Sequence, residues 1–279
     1  MTGADKTEIP RIKSTRGYRL YGYDGKRYID FYQNEGFALN GHRPAEVLQA
    51  LKSSAARGVW AEYPSVWEGR IEKLLKRLFP FVDRVFLYSD LEKLLRDASA
   101  HMHAHISIAD TPSELWEKSG EQGVSLIRWR PFAMNTEETM ALEEGKSGEI
   151  FIPLIPFPGR FLPIPVCRIH GTFMPSHETL VNPVLGALMV KSIASTIRRL
   201  KDEDGQGWEE FDCPVLRRRG PYFRLRLQEE KYSRLFTEML NEGILLPPSS
   251  CVPAIIPAEY NEGEVLPLKR ALRRVYGDS

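Results

Sequence analysis

The segment Glu178-Thr-Leu-Val-Asn-Pro183, followed directly by the small-residue run Val184–Ile197, organises the interpretation of the whole chain. A polar turn that ends in Asn-Pro is typical of a helix start, because proline suits the first helical turn. The apolar residues of the run recur at helical spacing: Leu185, Leu188, Met189 and Ile193. The pattern therefore predicts a buried helix, with Thr179 in the loop just ahead of it. Such loops often hold anions, but they are also common in ordinary packing, so the flanking segments decide the meaning.

Composition indicates an ordinary globular protein. The chain has 279 residues, of which 42% are hydrophobic and 27% are charged, enough for one large domain or two unequal ones. Its 38 Lys and Arg against 37 Asp and Glu leave a net charge of +1. This charge gives no reason to expect nucleic acid or an anionic membrane as partner, so small molecules or proteins are the expected ligands.

The cysteines and the N-terminus indicate the compartment. Cys167, Cys213 and Cys251 lie far apart and form no Cys-x-x-Cys motif, which argues against a disulfide framework and a structural zinc site. The first residues have no apolar signal region, and no stretch approaches eighteen uninterrupted apolar residues. We therefore expect a cytoplasmic protein without a membrane span.

The N-terminal third predicts a hairpin followed by alternating helices and a strand. Gly17–Phe31 alternates apolar and polar residues around Asp24-Gly25, which is a strong hairpin signal because the turn needs positive φ. Periodicity and punctuation then predict four further elements, of which the third is a strand and the others are helices. They are Pro44–Arg57, Val66–Leu78, Val82–Ser89 and Asp90–Ala100.

The order of these motifs resembles a known family. Tyr28-Ile-Asp30, Gly41-His42 and Val85-Phe-Leu-Tyr-Ser89 follow one another as in the opening of the class III, fold-type-I pyridoxal-phosphate aminotransferases. Within that family, the chain resembles the glutamate-1-semialdehyde aminomutases most of all. The resemblance implies an α/β fold and descent from transaminases that use pyridoxal phosphate.

The C-terminal third shows the same resemblance. Thr179-Leu-Val-Asn-Pro183 is similar to the family's Thr-Leu-x-x-Asn-Pro, whose threonine reaches the cofactor phosphate of the partner subunit. A strand at Gly220–Leu227, a helix at Lys231–Glu242 ending at Gly243, and a last helix at Glu262–Tyr276 match the family's small domain. The resemblance thus covers both ends of the chain but not the middle, and it implies a dimer.

The phosphate cradle of the family is altered in this chain. In the family, the strand ending at Ser89 continues into Ser-Gly-Thr-Glu-Ala, whose amides at a helix start hold the phosphate. Here the sequence reads Ser89-Asp-Leu-Glu-Lys93. Asp90 puts a negative charge where the phosphate would sit and repels it, so the cradle is expected to be dismantled.

The Schiff-base lysine of the family also has no counterpart. Ala98 to Phe157 is too short for the family's ring-stacking aromatic residue, its aspartate for the ring nitrogen and its lysine. Arg160 stands nearest to the lysine position, and a guanidinium that stays protonated cannot form the Schiff base. Lys146 is the nearest lysine in sequence, and its polar, acidic flanks predict a solvated loop residue.

A metal site is a separate alternative. His101-Met-His-Ala-His105 would place three imidazoles on one face of a strand, which suits zinc or nickel. No fourth ligand stands nearby in the sequence, so a half-exposed strand face is the competing interpretation.

Together these observations predict a shortened fold-type-I large domain and a C-terminal α+β small domain. The expected parts are a mobile leader at 1–16, a large domain at 17–199 that includes the hairpin, and a small domain at 200–279. The leading hypothesis is a degenerate aminotransferase homologue, a pseudoenzyme that acts as a dimeric binding or partner subunit. Its remnant site would comprise Ser89, Arg160 and Thr179, with pyridoxal phosphate by descent but without a covalent link, or with no cofactor.

One alternative and the expected partners follow from the same resemblance, and a second alternative follows from the histidine spacing. One alternative is an active pyridoxal-phosphate aminotransferase or aminomutase whose site is completed by another lysine or by a partner chain. The other is a metal-binding protein using His101, His103 and His105. We expect a homodimer or a heterodimer with a full-length homologue. A small anionic ligand held by Arg160 and Thr179 is a further hypothesis.

Overall fold

The computed structural model describes residues 9–57, 60–61, 63–110, 124–146, 148–157, 162–202 and 207–277. The helices within these residues are α1 (Ala45–Ala55), α2 (Trp67–Leu78), α3 (Leu91–Met102), α4 (Thr136–Glu143), α5 (Pro183–Lys201), α6 (Glu229–Asn241) and α7 (Glu262–Gly277). The strands are β1 (Ile12–Arg16), β2 (Arg19–Gly22), β3 (Arg27–Asp30), β4 (Arg84–Tyr88), β5 (Ile106–Asp110), β6 (Val124–Trp129), β7 (Ile150–Pro153), β8 (Ile164–Arg168), β9 (Leu216–Arg219), β10 (Tyr222–Leu225), β11 (Ile244–Leu245) and β12 (Ala254–Ile255). The chain divides into a terminal unit, Met1–Arg43 with Asp204–Ser279, and a central unit, Pro44–Glu203.

A five-stranded mixed sheet forms the framework of the central unit, in the order β4-β8-β7-β6-β5. β5, β6 and β7 run parallel to one another. β8 runs antiparallel to both of its neighbours, β7 and β4. It follows that β4 points in the same direction as β5, β6 and β7, so that four strands have their carboxyl ends at one edge.

Helices cover both faces of this sheet, as parallel strands require. On one face, Ile71 of α2 and Met189 and Ile193 of α5 pack with Phe151 of β7. On the other face, Leu94 and Ala98 of α3 pack with strand residues that point the opposite way: Phe86, Leu126, Ile152 and Val166. The alternation along each strand therefore builds two apolar layers, and both are buried.

The terminal unit contains two small sheets. The first has the order β1-β2-β3-β11, in which β11 runs parallel to β3 and pairs Ile244 with Ile29. The second has the order β12-β10-β9 and is antiparallel. Gly243 joins α6 to β11 with φ +79, and a Cβ there would lie 2.9 Å from the Arg27 carbonyl oxygen. Glycine is needed at this turn because a side chain would meet backbone.

The predicted hairpin is confirmed. β2 and β3 pair antiparallel on either side of Asp24-Gly25. The hairpin groups with the terminal unit, in which β3 pairs with β11. Part of the expected leader is also ordered: Ile12–Arg16 forms β1, while residues 1–8 lie outside the described part.

None of the helices in the described part of the chain is both long and apolar enough to cross a membrane. The longest, α5, has 19 residues and carries basic side chains in its last turn. They are Arg198, Arg199 and Lys201.

Candidate functional site

The candidate site lies at the edge of the central sheet where the four codirectional strands end. Ligands of α/β sheets bind outside the carboxyl ends of the strands, where loops and helix starts converge. Ser89 follows β4, Asp110 ends β5, Arg130 follows β6 and Phe157 lies beyond β7. Of the remnant site expected from the sequence, Ser89 therefore lies at this edge.

The turn from β4 into α3 is closed by its own side chain. Asp90 is the N-cap of α3, and its Oδ1 accepts a hydrogen bond from the Lys93 backbone N–H at 2.9 Å. Its Oδ2 accepts one from the Ser89 hydroxyl at 2.8 Å. An N-cap carboxylate satisfies amides that would otherwise be free at the helix start. The chain itself thereby supplies the negative group at the place where an external anion would bind.

The charge on Asp90 is stabilised in this position. The hydrogen bond from the Lys93 backbone lowers the pKa of Asp90 below its ordinary value, and the Ser89 hydroxyl lowers it further. The Lys93 ammonium donates to Ser89 Oγ at 2.8 Å and lies 3.6 Å from Asp90 Oδ2. Asp90 therefore remains a carboxylate at neutral pH, and Lys93 provides its counter-charge.

Thr179 lies directly beside Ser89 of the same chain. The Ser89 backbone N–H donates to Thr179 Oγ1 at 3.2 Å. The Thr179 N–H donates to the Leu87 carbonyl at 2.8 Å, which ties the loop to the end of β4. The Ser89 amide, a phosphate ligand in the family pattern, is thus bonded within the same chain. Arg160, the third expected site residue, lies outside the described residues.

The ends of β5 and β6 carry a group of opposite charges. Asp110 accepts hydrogen bonds from Arg130 Nε at 2.8 Å and from Arg128 Nη1 at 3.2 Å. Arg130 is 1% exposed, so its charge is held in the interior by this pairing. None of these three residues belongs to the remnant site expected from the sequence, which comprised Ser89, Arg160 and Thr179.

The residues described here do not fit pyridoxal phosphate. The Asp90 carboxylate accepts the Lys93 amide and Thr179 accepts the Ser89 amide, so two of the backbone donors at this turn are already bonded where a phosphate would need free donors. Asp110 already balances two guanidinium groups, so its carboxylate does not suit a pyridine nitrogen. Lys146 is 72% exposed and pairs with Glu144, which confirms the prediction of a solvated loop lysine.

A buried carboxylate fixes the loop that carries Thr179. Asp97 of α3 accepts hydrogen bonds from the Tyr88 hydroxyl at 3.0 Å and from the backbone N–H groups of Ser176 and His177 at 2.9 and 3.0 Å. Its Oδ1 also lies 2.5 Å from Nδ1 of His177. The sequence gave no signal for this network, because 80 residues separate Asp97 from His177 and neither belongs to a local motif.

The network sets the ionisation of its members. Burial alone would raise the pKa of Asp97, but the hydrogen bonds from His177, Tyr88 and Ser176 outweigh it and hold that pKa below its ordinary value. Burial raises the pKa of the Tyr88 hydroxyl, and the bond to Asp97 raises it further. Tyr88 therefore remains a hydrogen-bond donor and Asp97 a carboxylate across the neutral range.

The expected histidine face is wrong. His101 lies in the last turn of α3, and His103 is the C-cap with φ +50, so the segment is a helix end instead of a strand. His101 Nε2 lies 3.0 Å from Glu149, and the described residues contain no group of three or more His, Cys, Asp or Glu that could hold a metal ion. The metal-binding interpretation of His101, His103 and His105 is therefore not supported.

Two relatives match the sequence to different extents. An uncharacterised protein of Borreliella burgdorferi is 23% identical over 92% of this chain and 88% of its own length. A glutamate-1-semialdehyde 2,1-aminomutase of Heliobacterium modesticaldum is 36% identical over 74 residues, which are 26% of this chain and 17% of that protein. The match thus spans only about a sixth of the aminomutase. No protein-family model matches the chain.

Solved structures match nearly the whole chain. The ornithine δ-aminotransferase of Plasmodium falciparum superimposes with a TM-score of 0.66 at 13% identity, covering 99% of this chain and 95% of that one. A glutamate-1-semialdehyde aminomutase of Pseudomonas aeruginosa gives a TM-score of 0.63 at 14% identity, covering 96% and 87%. At these identities the likeness shows the fold, and this fold agrees with the one expected from the motifs.

Proposed function

We propose that this chain, which has the fold of the class III pyridoxal-phosphate aminotransferases, is a degenerate homologue that no longer carries the cofactor covalently. It uses the inherited framework as a dimeric binding or partner subunit. Aminotransferase descent is supported by the fold and by the partial aminomutase match.

The observation that carries the proposal is the self-capped start of α3. A phosphate needs free N–H donors and the positive end of the helix dipole. Asp90 takes the donor of Lys93, Thr179 takes that of Ser89, and the Asp90 charge opposes a second anion. Covalent attachment of pyridoxal phosphate at this edge would also need a lysine amine that is free of a counter-ion. Lys93 instead bonds to Ser89 and lies close to Asp90.

An exposed apolar surface supports the partner role. Trp60, Tyr63 and Val66 are 61%, 63% and 62% exposed, and Leu180 is 44% exposed. Their two loops are joined, because the Asn182 side chain donates to the Trp60 carbonyl. Large apolar side chains grouped on a surface mark interaction sites. We assign this surface to a second copy of the chain or to a full-length homologue.

Lys93 supports a second candidate function. Its ammonium lies 2.8 Å from Ser89 Oγ, which makes it a lysine at the carboxyl edge that the sequence analysis did not single out. In an active aminotransferase or aminomutase built on this fold, Lys93 or a lysine of a partner chain would form the Schiff base. The two candidates differ in whether pyridoxal phosphate becomes attached to one particular lysine.

Borohydride trapping separates these candidates. The full chain is incubated with pyridoxal phosphate, reduced with borohydride and mapped by peptide mass spectrometry. We expect only substoichiometric labelling spread over exposed lysines. Stoichiometric labelling at one residue that is lost in Lys93→Ala and retained in Lys146→Ala would establish the enzyme and overturn the degenerate homologue.

A further inference from the structure

A groove with basic walls lies within the central unit, apart from the carboxyl edge of the sheet. It has a volume of about 370 Å³ and is formed by α1, α2 and α5 together with Arg57 just beyond α1. Pockets for small ligands have volumes of roughly 300–1,000 Å³. The groove is therefore large enough for a small molecule.

Three cations line the groove, and none of them forms an ion pair with another residue that the structure describes. They are Arg57, Arg70 and Lys191. Neither Arg57 nor Lys191 has a side-chain ion pair or hydrogen bond among the described residues, and Arg70 lies over the Trp67 ring at 4.8 Å. The acidic lining residue, Glu46, is already paired with Arg198 at 2.6 Å. The groove therefore presents an excess of positive charge.

The floor of the groove is built from small residues, which keep it open. Ala50 of α1 and Ala187 of α5 face it, with Val190 beside them. Gly186 lets Trp67 pack against α5, because a Cβ at this position would lie 2.6 Å from the Trp67 Cβ. Gln49 and Ser53 add neutral hydrogen-bonding groups to the wall. The charged lining residues Arg57, Arg70 and Lys191 are exposed, whereas Ala187 is buried and Ala50 and Val190 are partly buried.

We propose that this groove binds a small multivalent anion, carrying phosphoryl or carboxylate groups, between Arg57, Arg70 and Lys191. Guanidinium and ammonium groups form charge-assisted hydrogen bonds with such anions, and these are stronger than neutral ones. Several cations around one groove favour a ligand with two or more negative charges over a monovalent ion. The site does not depend on the proposed loss of cofactor, because it shares no residue with the carboxyl edge.

Titration with two probes tests the site and its chemistry. Pyrophosphate and citrate are titrated separately into the full chain by calorimetry at low ionic strength. We expect saturable one-to-one binding of at least one probe, weakened at least about tenfold in the double variant Arg57→Gln/Lys191→Gln and weakened by salt. Preference for pyrophosphate assigns a phosphorylated ligand, and preference for citrate assigns a polycarboxylate.

The matched control is the double variant Lys52→Gln/Lys73→Gln. It removes the same charge from α1 and α2, but neither residue lines the groove. Binding in this variant should stay within about twofold of the native value. The proposal is overturned if neither probe saturates, or if the two double variants weaken binding equally, since diffuse surface charge would then explain it.

Discussion

Two helices of the central unit, α3 and α5, begin with side-chain caps that differ in charge. α3 begins after Asp90, whose carboxylate accepts the Lys93 N–H at 2.9 Å. α5 begins after Asn182, whose amide oxygen accepts the Val184 N–H at 2.9 Å. Both side chains satisfy backbone donors, but the first places a full negative charge at the positive end of the helix dipole.

The difference shows how one residue can change what a helix start will bind. A neutral cap leaves the field of the helix dipole attractive to anions, whereas a charged cap uses that field for itself. Asp90 lies at the ligand edge of the sheet and Asn182 supports a loop. The position of a cap, together with its charge, therefore decides whether a helix start is a binding site or a structural joint.

The largest effect is expected from removing the Asp97 carboxylate, which links α3 to the loop ahead of α5. Asp97→Ala leaves the Tyr88 hydroxyl and the N–H groups of Ser176 and His177 without their acceptor. The free energy of unfolding should fall by about 3 kcal/mol or more, as measured by urea denaturation. His177→Ala should cost less, because its side chain is 41% exposed. Equal losses would mean that Asp97 is not the centre of the network.

The stabilisation provided by the Asp97 carboxylate should be lost in acid. The pKa of Asp97 is lowered in the folded state, so its stabilisation is complete above the ordinary carboxyl pKa and is lost as pH falls through the folded value. The difference in unfolding free energy between the native chain and Asp97→Asn should therefore shrink below about pH 4. A difference that stays constant down to the acid transition would show that the carboxylate charge contributes nothing.

A moderate effect is expected from removing the neutral cap. Asn182→Ala deletes the bond to the Val184 N–H and the tie to the Trp60 carbonyl. The unfolding free energy should fall by about 1–2 kcal/mol. Lys52→Ala, an exposed substitution on α1, should change it by less than about 0.5 kcal/mol. If the two variants are alike, Asn182 does not cap α5 in solution.

The smallest effect is expected from a substitution that gives α3 a neutral N-cap like that of α5. Asp90→Asn preserves a good N-cap while removing its charge. Inorganic phosphate should bind the Asp90→Asn variant about three- to tenfold more tightly than it binds the protein that keeps Asp90. The free energy of unfolding should change little. Both proteins carry Arg57→Gln/Lys191→Gln, so that the basic groove does not contribute to the titration. Unchanged affinity would show that charge does not close the α3 start.

Local signals in the sequence were sufficient to predict most elements. The Asp24-Gly25 turn, the helices at the positions of α1, α2, α5, α6 and α7, and the strand at β4 all follow from periodicity and punctuation. The prediction of a strand at His101–His105 was wrong. The segment alternates like a strand, but the helical packing of Leu94 and Ala98 continues α3 as far as Met102.

The site could be predicted only in part. Through the family resemblance the sequence named Ser89 and Thr179 as residues of a remnant site, and it identified Asp90 as a charge that opposes phosphate. It did not show that Asp90 is an N-cap hydrogen-bonded to the Lys93 amide, which depends on the backbone at the strand end. The pairing of β3 with β11 and the Asp97 network join residues about 80 or more positions apart, so they depend on tertiary packing that no local motif encodes.

The affinity ratio of pyridoxal phosphate to pyridoxal, measured on the chain that carries Arg57→Gln/Lys191→Gln and is otherwise native, tests the central claim most directly. These compounds share the ring and aldehyde and differ in the phosphate, so the ratio reports whether the start of α3 accepts that group. Because Asp90 and Thr179 already occupy the donors, we predict a ratio within about threefold of one in the Arg57→Gln/Lys191→Gln background. A preference of about a hundredfold or more for the phosphorylated compound would contradict the account.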